Sequence, residues 1–384
     1  MRCTHRVVSS CLISLAVAGV GFCTLTPVGA VQAPDIGLRI ARLLDPIRRS
    51  YNLPALAGAI VTSQGLTGVG VTGVRKAGTD VLVTADDRWH LGSETKAMTA
   101  TMIGLLVQQG KLRWDSTIGE VFTDLASTSR SPLTKATLLQ LLSHRAGVPA
   151  NLTGGWDKIP RNLPIRRQRE MAVETALSKV NNAKPGTSYE YSNWGYVIAG
   201  AMAEKAADAT WEDLMTSLVF QPLGMTAVGF GGMGTPGVID QPWGHTDIGK
   251  PVARNGPDVD NPPVLGPAGR VHSTLGDWSK FLADQLRGAR GEQALLNADT
   301  YTTLHTPPFG GDYALGWATS TREWGGGTVL THTGSNTMHF AVTWVAPVRD
   351  FAVLVVTNEG GNGVDRAVDE AAQALIWLHG SVAR

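Results

Sequence analysis

Residues 90–107, HLGSETKAMTATMIGLLV, combine two features that decide the fold: a Ser-x-x-Lys pair and an uninterrupted apolar helix. From Lys96 onward, apolar residues occupy nearly every position, which predicts a helix buried on all sides. Ser93 and Lys96 are three positions apart and would share a helix face, so the lysine amine can reach the serine hydroxyl. In a dry cleft the pKa of this amine would fall, and it could accept the serine proton. Such pairs also occur at ordinary helix starts, so other motifs have to complete a catalytic site.

A second motif lies in YEYSNWGY, residues 189–196, just before a predicted helix. The phenol of Tyr191, placed beside an ammonium group, could lose its proton below its usual pKa of about 10 and act as a general base. The amide of Asn193 could bind a substrate carbonyl. This motif therefore offers the proton acceptor and the polar contact that Ser93 and Lys96 lack.

A third motif lies in LTHTGSN, residues 330–336, where a His-Thr-Gly triplet ends a predicted strand. A glycine at a strand edge lets another backbone approach closely. The backbone N–H of Ser335 could then form an oxyanion hole together with the N–H of Ser93.

These three motifs, in this order, resemble those of the penicillin-recognising serine hydrolases. The branch concerned includes class C β-lactamases, serine D-Ala-D-Ala carboxypeptidases, D-aminopeptidases and β-lactamase-fold esterases. The stretches LLSHRAGVP (141–149), PAGRVHSTLGDWSKF (267–281) and VLVVTNEGG (353–361) are also similar to this branch. The resemblance implies an α/β fold: an antiparallel five-stranded sheet flanked by helices, with an inserted, mainly helical domain.

The resemblance also implies roles for individual residues. Ser93 would be the acylated nucleophile, and Lys96 would tune protonation around it. Tyr191 would be the general base for acylation and would activate the deacylating water. The implied substrate-binding residues are Asn193, His332, Thr333, Gly334 and Ser335.

His332 is a departure from the class C β-lactamases, which usually carry lysine at this position. Histidine has an ordinary pKa near 6.5 and is mostly neutral at pH 7–8. A fixed positive charge for a substrate carboxylate is therefore in doubt. We expect carboxylated substrates to bind better as the pH falls through the pKa of His332.

Strand patterns lie at both ends of the mature chain, with helices between them. The predicted strands are 56–62, 66–74, 313–319, 326–334, 339–346 and 351–358, and an apolar stripe predicts a helix over 134–149. These patterns predict a sheet subdomain (34–111 plus 267–384) with an inserted helical subdomain (about 112–266), and the resemblance implies that 34–384 is a β-lactamase-like serine hydrolase domain.

The N-terminus has the pattern of a secretory signal peptide over residues 1–30, with cleavage also conceivable at 33. Arg2 and Arg6 precede an apolar run, and small residues follow it. All three cysteines lie in this segment, so the mature chain would have none. The pattern predicts a bacterial protein that is exported to the periplasm or secreted.

Composition argues against several classes of function. The whole chain has 33 basic and 32 acidic residues, which is too balanced for a nucleic-acid footprint. We predict no metal site, no cofactor and no stable membrane span after signal removal, and the sequence does not indicate an oligomeric state. Histidines outside the motifs are expected to be structural: His144 at a helix end, and His90 in packing.

The predicted function is that of an exported serine hydrolase. It would form an acyl-enzyme with a small amide, peptide or ester, most like a D-Ala-D-Ala carboxypeptidase or a β-lactamase-related hydrolase. Two alternatives remain: a penicillin-binding or regulatory protein that is acylated with little turnover, and a carboxylesterase on the same fold.

Overall fold

A six-stranded antiparallel sheet forms the centre of the computed structural model, which describes residues 36–247 and 249–382. The predicted signal peptide lies outside the described residues. The strands are β1 (Ala55–Thr62), β2 (Gly65–Gly73), β3 (Arg88–His90), β4 (Val228–Phe230), β5 (His245–Asp247), β6 (Lys250–Pro251), β7 (Val271–Thr274), β8 (Ala318–Arg322), β9 (Gly327–Ser335), β10 (Phe340–Ala346) and β11 (Phe351–Thr357). The main sheet has the order β2-β1-β11-β10-β9-β8, and β3, β7 and β4 form a second, three-stranded sheet.

Helices cover both faces of the main sheet. They are α1 (Ile36–Ser50), α2 (Thr95–Gln108), α3 (Ile118–Val121), α4 (Thr123–Thr128), α5 (Leu138–Leu142), α6 (Ile165–Lys179), α7 (Asn193–Ala207), α8 (Trp211–Met215), α9 (Gly266–Gly269), α10 (Leu275–Ala289), α11 (Ala298–His305) and α12 (Val364–Val382). None of the helices within the described ranges is both long enough and apolar enough to cross a membrane.

Alternating side chains of the central strands enter two separate hydrophobic cores. In β11, Leu354 and Val356 belong to the core shared with α2 and α10, whereas Val353 and Val355 belong to the core formed with α1 and α12. Successive strand residues point to opposite faces, so a strand covered on both sides reads as a continuous apolar run. This explains why FAVLVVT is buried at every position.

The α/β class with an antiparallel sheet is confirmed, but the implied count of five strands is wrong. Both strands of the N-terminal hairpin and four C-terminal strands join one sheet. The predicted strand over 313–319 is displaced to β8. Its first residues fold back on themselves, and the N–H of Ala314 donates to the carbonyl of Trp317. The division into subdomains stays a prediction.

The helix predicted over 134–149 is also wrong. Residues Pro132–Lys135 form a 3-10 turn, and a new helix, α5, begins only after Thr137 and ends at Leu142. Thr137 and Gln140 form a capping box, which starts a helix at that point. His144 has a φ of 60°, a left-handed conformation that no continuing helix can adopt.

A buried ion cluster joins the three helices α6, α7 and α8. Arg169 on α6 has a fully buried side chain, and its guanidinium lies 2.5 Å from Glu204 of α7 and 2.6 Å from Glu212 of α8. The same guanidinium donates to the carbonyl of Pro263. Loss of the arginine would leave two carboxylates without their counter-charge.

We expect Arg169→Met to lower the free energy of unfolding by about 3–5 kcal/mol, because it leaves buried charge uncompensated. The matched control is Arg167→Met on the same helix. Arg167 pairs with Glu170 and Glu174 while 42% exposed, and its loss should cost at most about 1 kcal/mol. Urea unfolding of the parent and both variants measures the difference. Equal losses at the two positions would contradict the proposed importance of the buried cluster.

Candidate active site

Ser93 lies in a 3-10 turn, Gly92–Glu94, that connects β3 to the N-terminus of α2. The turn is held from behind, because the N–H of Leu91 donates to the carbonyl of Val271 on β7. Lys96 stands in the first turn of α2, and its Nζ lies 2.9 Å from Ser93 Oγ. The two residues thus contact each other as expected, although Ser93 precedes the α-helix.

The amine of Lys96 is completely buried among neutral acceptors. Besides Ser93 Oγ, its Nζ contacts Asn193 Oδ1 at 2.8 Å and the Ala268 carbonyl oxygen at 2.6 Å. Burial lowers the pKa of Lys96 well below its ordinary value. The carboxyl group of Glu94 is buried too, and burial raises its pKa well above the usual range, so it supplies no counter-charge. An uncharged amine is therefore favoured next to the Ser93 hydroxyl.

Tyr191 lies over this amine, with Lys96 Nζ 4.9 Å from the centre of its ring. Burial raises the pKa of the Tyr191 phenol, and a hydrogen-bonding contribution from Ser93 only partly offsets this. Tyr191 is therefore held as a neutral phenol. Of the two groups beside Ser93, burial makes Lys96 the easier one to deprotonate.

His144 organises the segment that carries Tyr191 and Asn193. Its Nδ1 accepts the backbone N–H of Ser192 at 3.0 Å, and its ring centre lies 4.4 Å from that of Tyr191. Ser192 caps α7 through the N–H of Gly195, which fixes Asn193 at the first helical position. The sequence suggested a helix-end role for His144. The structure instead places it beyond the helix, against the candidate catalytic residues.

Asn193 is oriented by contacts at both ends of its amide. Its Oδ1 accepts from Lys96, and its Nδ2 donates to Asn151 Oδ1 at 3.1 Å. Asn151 also accepts from the indole of Trp156. Asn151 is a site residue that sequence reasoning missed, because it lies in a loop without helix or strand periodicity.

Strand β9 presents a free edge to the nucleophile turn. Its pairing with β8 covers residues 327–331, and within the described part of the chain no further strand pairs with residues 332–335 on that side. Within this segment Thr333 and Ser335 are exposed, whereas Gly334 is buried. The exposed residues have the alternation of a half-covered strand.

The free edge and the nucleophile turn are in direct backbone contact. A Cβ on Gly334 would clash with the Leu91 carbonyl oxygen and would lie 2.8 Å from Ser93 N. A Cβ on Gly92 would clash with Ser335 N and would lie 2.7 Å from the carbonyl carbon of Gly334. Only glycine at both positions permits this approach, which brings the Ser93 and Ser335 peptides side by side.

His332 is buried and fully hydrogen-bonded. Its Nδ1 lies 2.6 Å from the Thr333 carbonyl and must donate, which leaves Nε2 to accept from the Tyr313 hydroxyl at 2.9 Å. Burial and the nearby Lys96 lower the pKa of His332 to about 3. The expectation of an ordinary histidine pKa is thus wrong, because the ring is out of solvent and its two hydrogen-bond partners are a neutral hydroxyl and a neutral carbonyl. Tyr313, its hydrogen-bond donor, was not among the residues singled out from the sequence.

The structure brings four sequence-predicted residues, Ser93, Lys96, Tyr191 and Asn193, into one cluster. The triplet 332–334 and Ser335 lie on the adjacent strand edge. His332 shares a face of β9 with Gly334, and its ring centre lies 6.3 Å from that of Tyr191, but both of its ring nitrogens are occupied within the protein.

Comparison with known proteins identifies the family. The Beta-lactamase family model matches residues 40–376. A penicillin-binding protein 4 from Amycolatopsis lactamdurans is 26% identical over 82% of this chain and 84% of that protein. An unguisins hydrolase from Aspergillus campestris is 25% identical over 72% of this chain but only 53% of its own length. The crystal structure of a D-amino acid amidase from Ochrobactrum anthropi has a TM-score of 0.68 at 23% identity, with 89% of this chain and 98% of that chain covered. This chain therefore belongs to the β-lactamase family of penicillin-recognising serine hydrolases.

Proposed function

We propose that this protein hydrolyses small amides or esters through an acyl-enzyme formed on Ser93. The observation that carries the proposal is the 2.9 Å contact between Ser93 Oγ and a fully buried Lys96 amine whose pKa is well below normal. A serine hydroxyl becomes a useful nucleophile only beside a group that can take its proton. An uncharged amine at that distance can do so.

In the proposed acylation step, Ser93 Oγ attacks the substrate carbonyl carbon while its proton passes to Lys96 Nζ. The negative charge that develops on the carbonyl oxygen is stabilised by the backbone N–H groups of Ser93 and Ser335. The tetrahedral intermediate then expels the amine or alcohol. That leaving group takes a proton through the neutral phenol of Tyr191, which is replenished from the Lys96 ammonium.

Deacylation would repeat these steps with water in place of Ser93. Water gives its proton to the Tyr191–Lys96 pair, attacks the ester carbonyl and releases the acid, and Ser93 recovers its proton. Asn193 would bind the acyl part of the substrate through the second N–H of its amide, since the other N–H donates to Asn151. The Asn193–Asn151 contact supports this role, because it holds the amide without help from the substrate.

The proposed substrates have an uncharged leaving group. His332, the residue in the position of the family's lysine, is neutral and has both ring nitrogens occupied. A substrate carboxylate at this strand edge would find the Thr333 hydroxyl and no cation from the triplet. A D-amino acid amidase whose structure was solved with L-phenylalanine amide has a similar fold, which is compatible with this preference. An amidase or esterase is favoured over a carboxypeptidase on this ground.

We also propose that the protein is exported from a bacterial cell after removal of residues 1–30. The charged start, the apolar run and the small residues near position 30 support this proposal. The similarity to a penicillin-binding protein of a bacterium is compatible with it.

We expect Ser93→Ala to abolish covalent labelling by a fluorophosphonate and to lower turnover of an aryl ester by about 10³-fold or more. Intact-mass measurement followed by peptide mapping locates the adduct. Ser127→Ala, on an exposed surface of α4, is the control and should label like the parent. An adduct on any other residue would exclude the proposed nucleophile. Product that stops at one equivalent of protein would favour the penicillin-binding alternative.

The value of kcat/KM should rise with pH through an acid limb set by the lowered pKa of Lys96, because only the neutral amine can accept a proton. Lys96→Arg should lose nearly all activity at every pH, since a guanidinium does not deprotonate in this range. Tyr191→Phe should be slower but keep the same acid limb. A limb that vanishes in Tyr191→Phe would make the tyrosine the titrating group.

Two matched esters, with and without a carboxylate on the leaving group, test the role of His332. Because the pKa of His332 is about 3, the ratio of their KM values should stay constant from pH 5.5 to 8.5. The neutral ester serves as the internal control for all other pH effects. If KM for the carboxylated ester alone falls in acid, His332 gains a proton and contacts the substrate.

A further inference from the structure

Asp260 is a carboxylate without solvent exposure in the irregular segment that precedes α9. Its Oδ2 accepts from His90 Nε2 at 3.0 Å and from Arg270 Nε at 3.1 Å, and its Oδ1 accepts from Asn336 Nδ2 at 3.0 Å. Burial would raise the pKa of Asp260, but the hydrogen bonds from His90 and Asn336 and the charge of Arg270 outweigh burial and keep the pKa below its usual range. A buried, ionised carboxylate therefore holds three donors from three different parts of the chain.

The first donor leads to the peptide of Ser93. The ring of His90 accepts the backbone N–H of Gly92 on its Nδ1 at 3.1 Å. With Nδ1 used as an acceptor, the ring proton is on Nε2, and that proton requires an acceptor. Asp260 supplies it, so the carboxylate fixes the tautomer that holds the turn immediately before the nucleophile.

The second donor leads to the peptide of Ser335. This donor is Asn336, which directly follows Ser335. The Oδ1 atom of Asn336 accepts the N–H groups of Met338 and His339 at 3.2 and 3.0 Å. The amide nitrogen of Asn336 is thereby directed at Asp260. Asp260 thus holds Asn336, which follows Ser335, by a direct hydrogen bond. It holds Gly92, which precedes Ser93, through His90.

We propose that Asp260 is a positioning residue that sets the separation of the Ser93 and Ser335 N–H groups, and so aligns the oxyanion hole. The inference rests on the proposed function, because it assigns Asp260 to the stabilisation of that reaction's transition state. Asp260 does not touch the substrate; it acts through His90 and Asn336. His90, expected from the sequence to be a packing residue, has a specific hydrogen-bonding role in this arrangement.

Asp260→Asn separates alignment from ordinary stability. The variant keeps the side-chain volume but replaces one acceptor with an NH₂ group, which must face either Asn336 or the His90–Arg270 pair. Oxyanion-hole donors act at 2.7–3.1 Å from the developing charge, so a small displacement of either peptide weakens them. A substrate whose carbonyl oxygen is replaced by sulfur gains little from the same donors, because sulfur is larger and a weaker acceptor.

The experiment compares an aryl ester with its thionoester in the parent and in Asp260→Asn. Fluorophosphonate titration counts the competent sites. We expect kcat/KM for the oxygen ester to fall on the order of 10²-fold, mostly in kcat. The thionoester should fall much less, so the preference for oxygen should shrink. If Asp260→Asn does not fold, Asn336→Ala takes its place in the experiment. This variant removes one anchor while keeping the Asp260–His90–Arg270 contacts, and it should reduce the same preference.

Asp87→Asn is the matched control. Asp87 is another buried carboxylate paired with an arginine, Arg75, and its loss should lower the melting temperature without changing the oxygen preference. Folded Asp260→Asn with an unchanged preference would overturn the inference and leave the proposed function intact. A parent that is never acylated at Ser93 would overturn both.

Discussion

The close backbone contact between β9 and the nucleophile turn is the constraint on which the rest of the site depends. It requires glycine at 92 and 334, and it requires β9 to keep a free edge at that point. The sheet order supplies this edge, because β8 ends its pairing with β9 before the triplet begins. The direction of α2 follows, since the helix starts from the same turn and places Lys96 beneath Ser93. Sheet topology, the two glycines and the nucleophile thus form one geometric unit.

The electrostatic character of the site is that of a group of titratable side chains kept uncharged. Burial lowers the pKa of Lys96, His144 and His332 and raises that of Tyr191. Their hydrogen-bond partners are neutral: an amide oxygen, a carbonyl and a hydroxyl for Lys96, a carbonyl and a hydroxyl for His332, and the backbone N–H of Ser192 for His144. Because these partners are uncharged, none of them holds a proton on Ser93, Lys96 or Tyr191 in preference to the other two. The ionised carboxylate of Asp260 accepts hydrogen bonds from His90, Arg270 and Asn336, and through them it holds the backbone next to the nucleophile turn.

The sequence predicted those features that are local in the chain. The buried character of α2 followed from its apolar positions, and the strands near the C-terminus followed from their apolar runs. The helix predicted over 134–149 does not form, because the side-chain cap at Thr137 begins a separate helix there. An apolar stripe does not reveal such a cap. The prediction of an ordinary pKa for His332 is wrong because that pKa depends on burial and on Lys96, and the sequence around His332 reveals neither. Asp260, 170 residues from His90, carried no motif at all.

The burial of Lys96 couples folding of the whole chain to proton release. In the unfolded chain this amine has an ordinary pKa of 10.5, whereas in the folded protein its pKa lies well below that value. Between the two values the unfolded chain binds the additional proton, so this residue makes the folded state more stable as the pH rises. Its energetic penalty is complete below the lowered pKa and disappears above about 10.5. The group that would activate the nucleophile is therefore also a source of acid sensitivity for the fold.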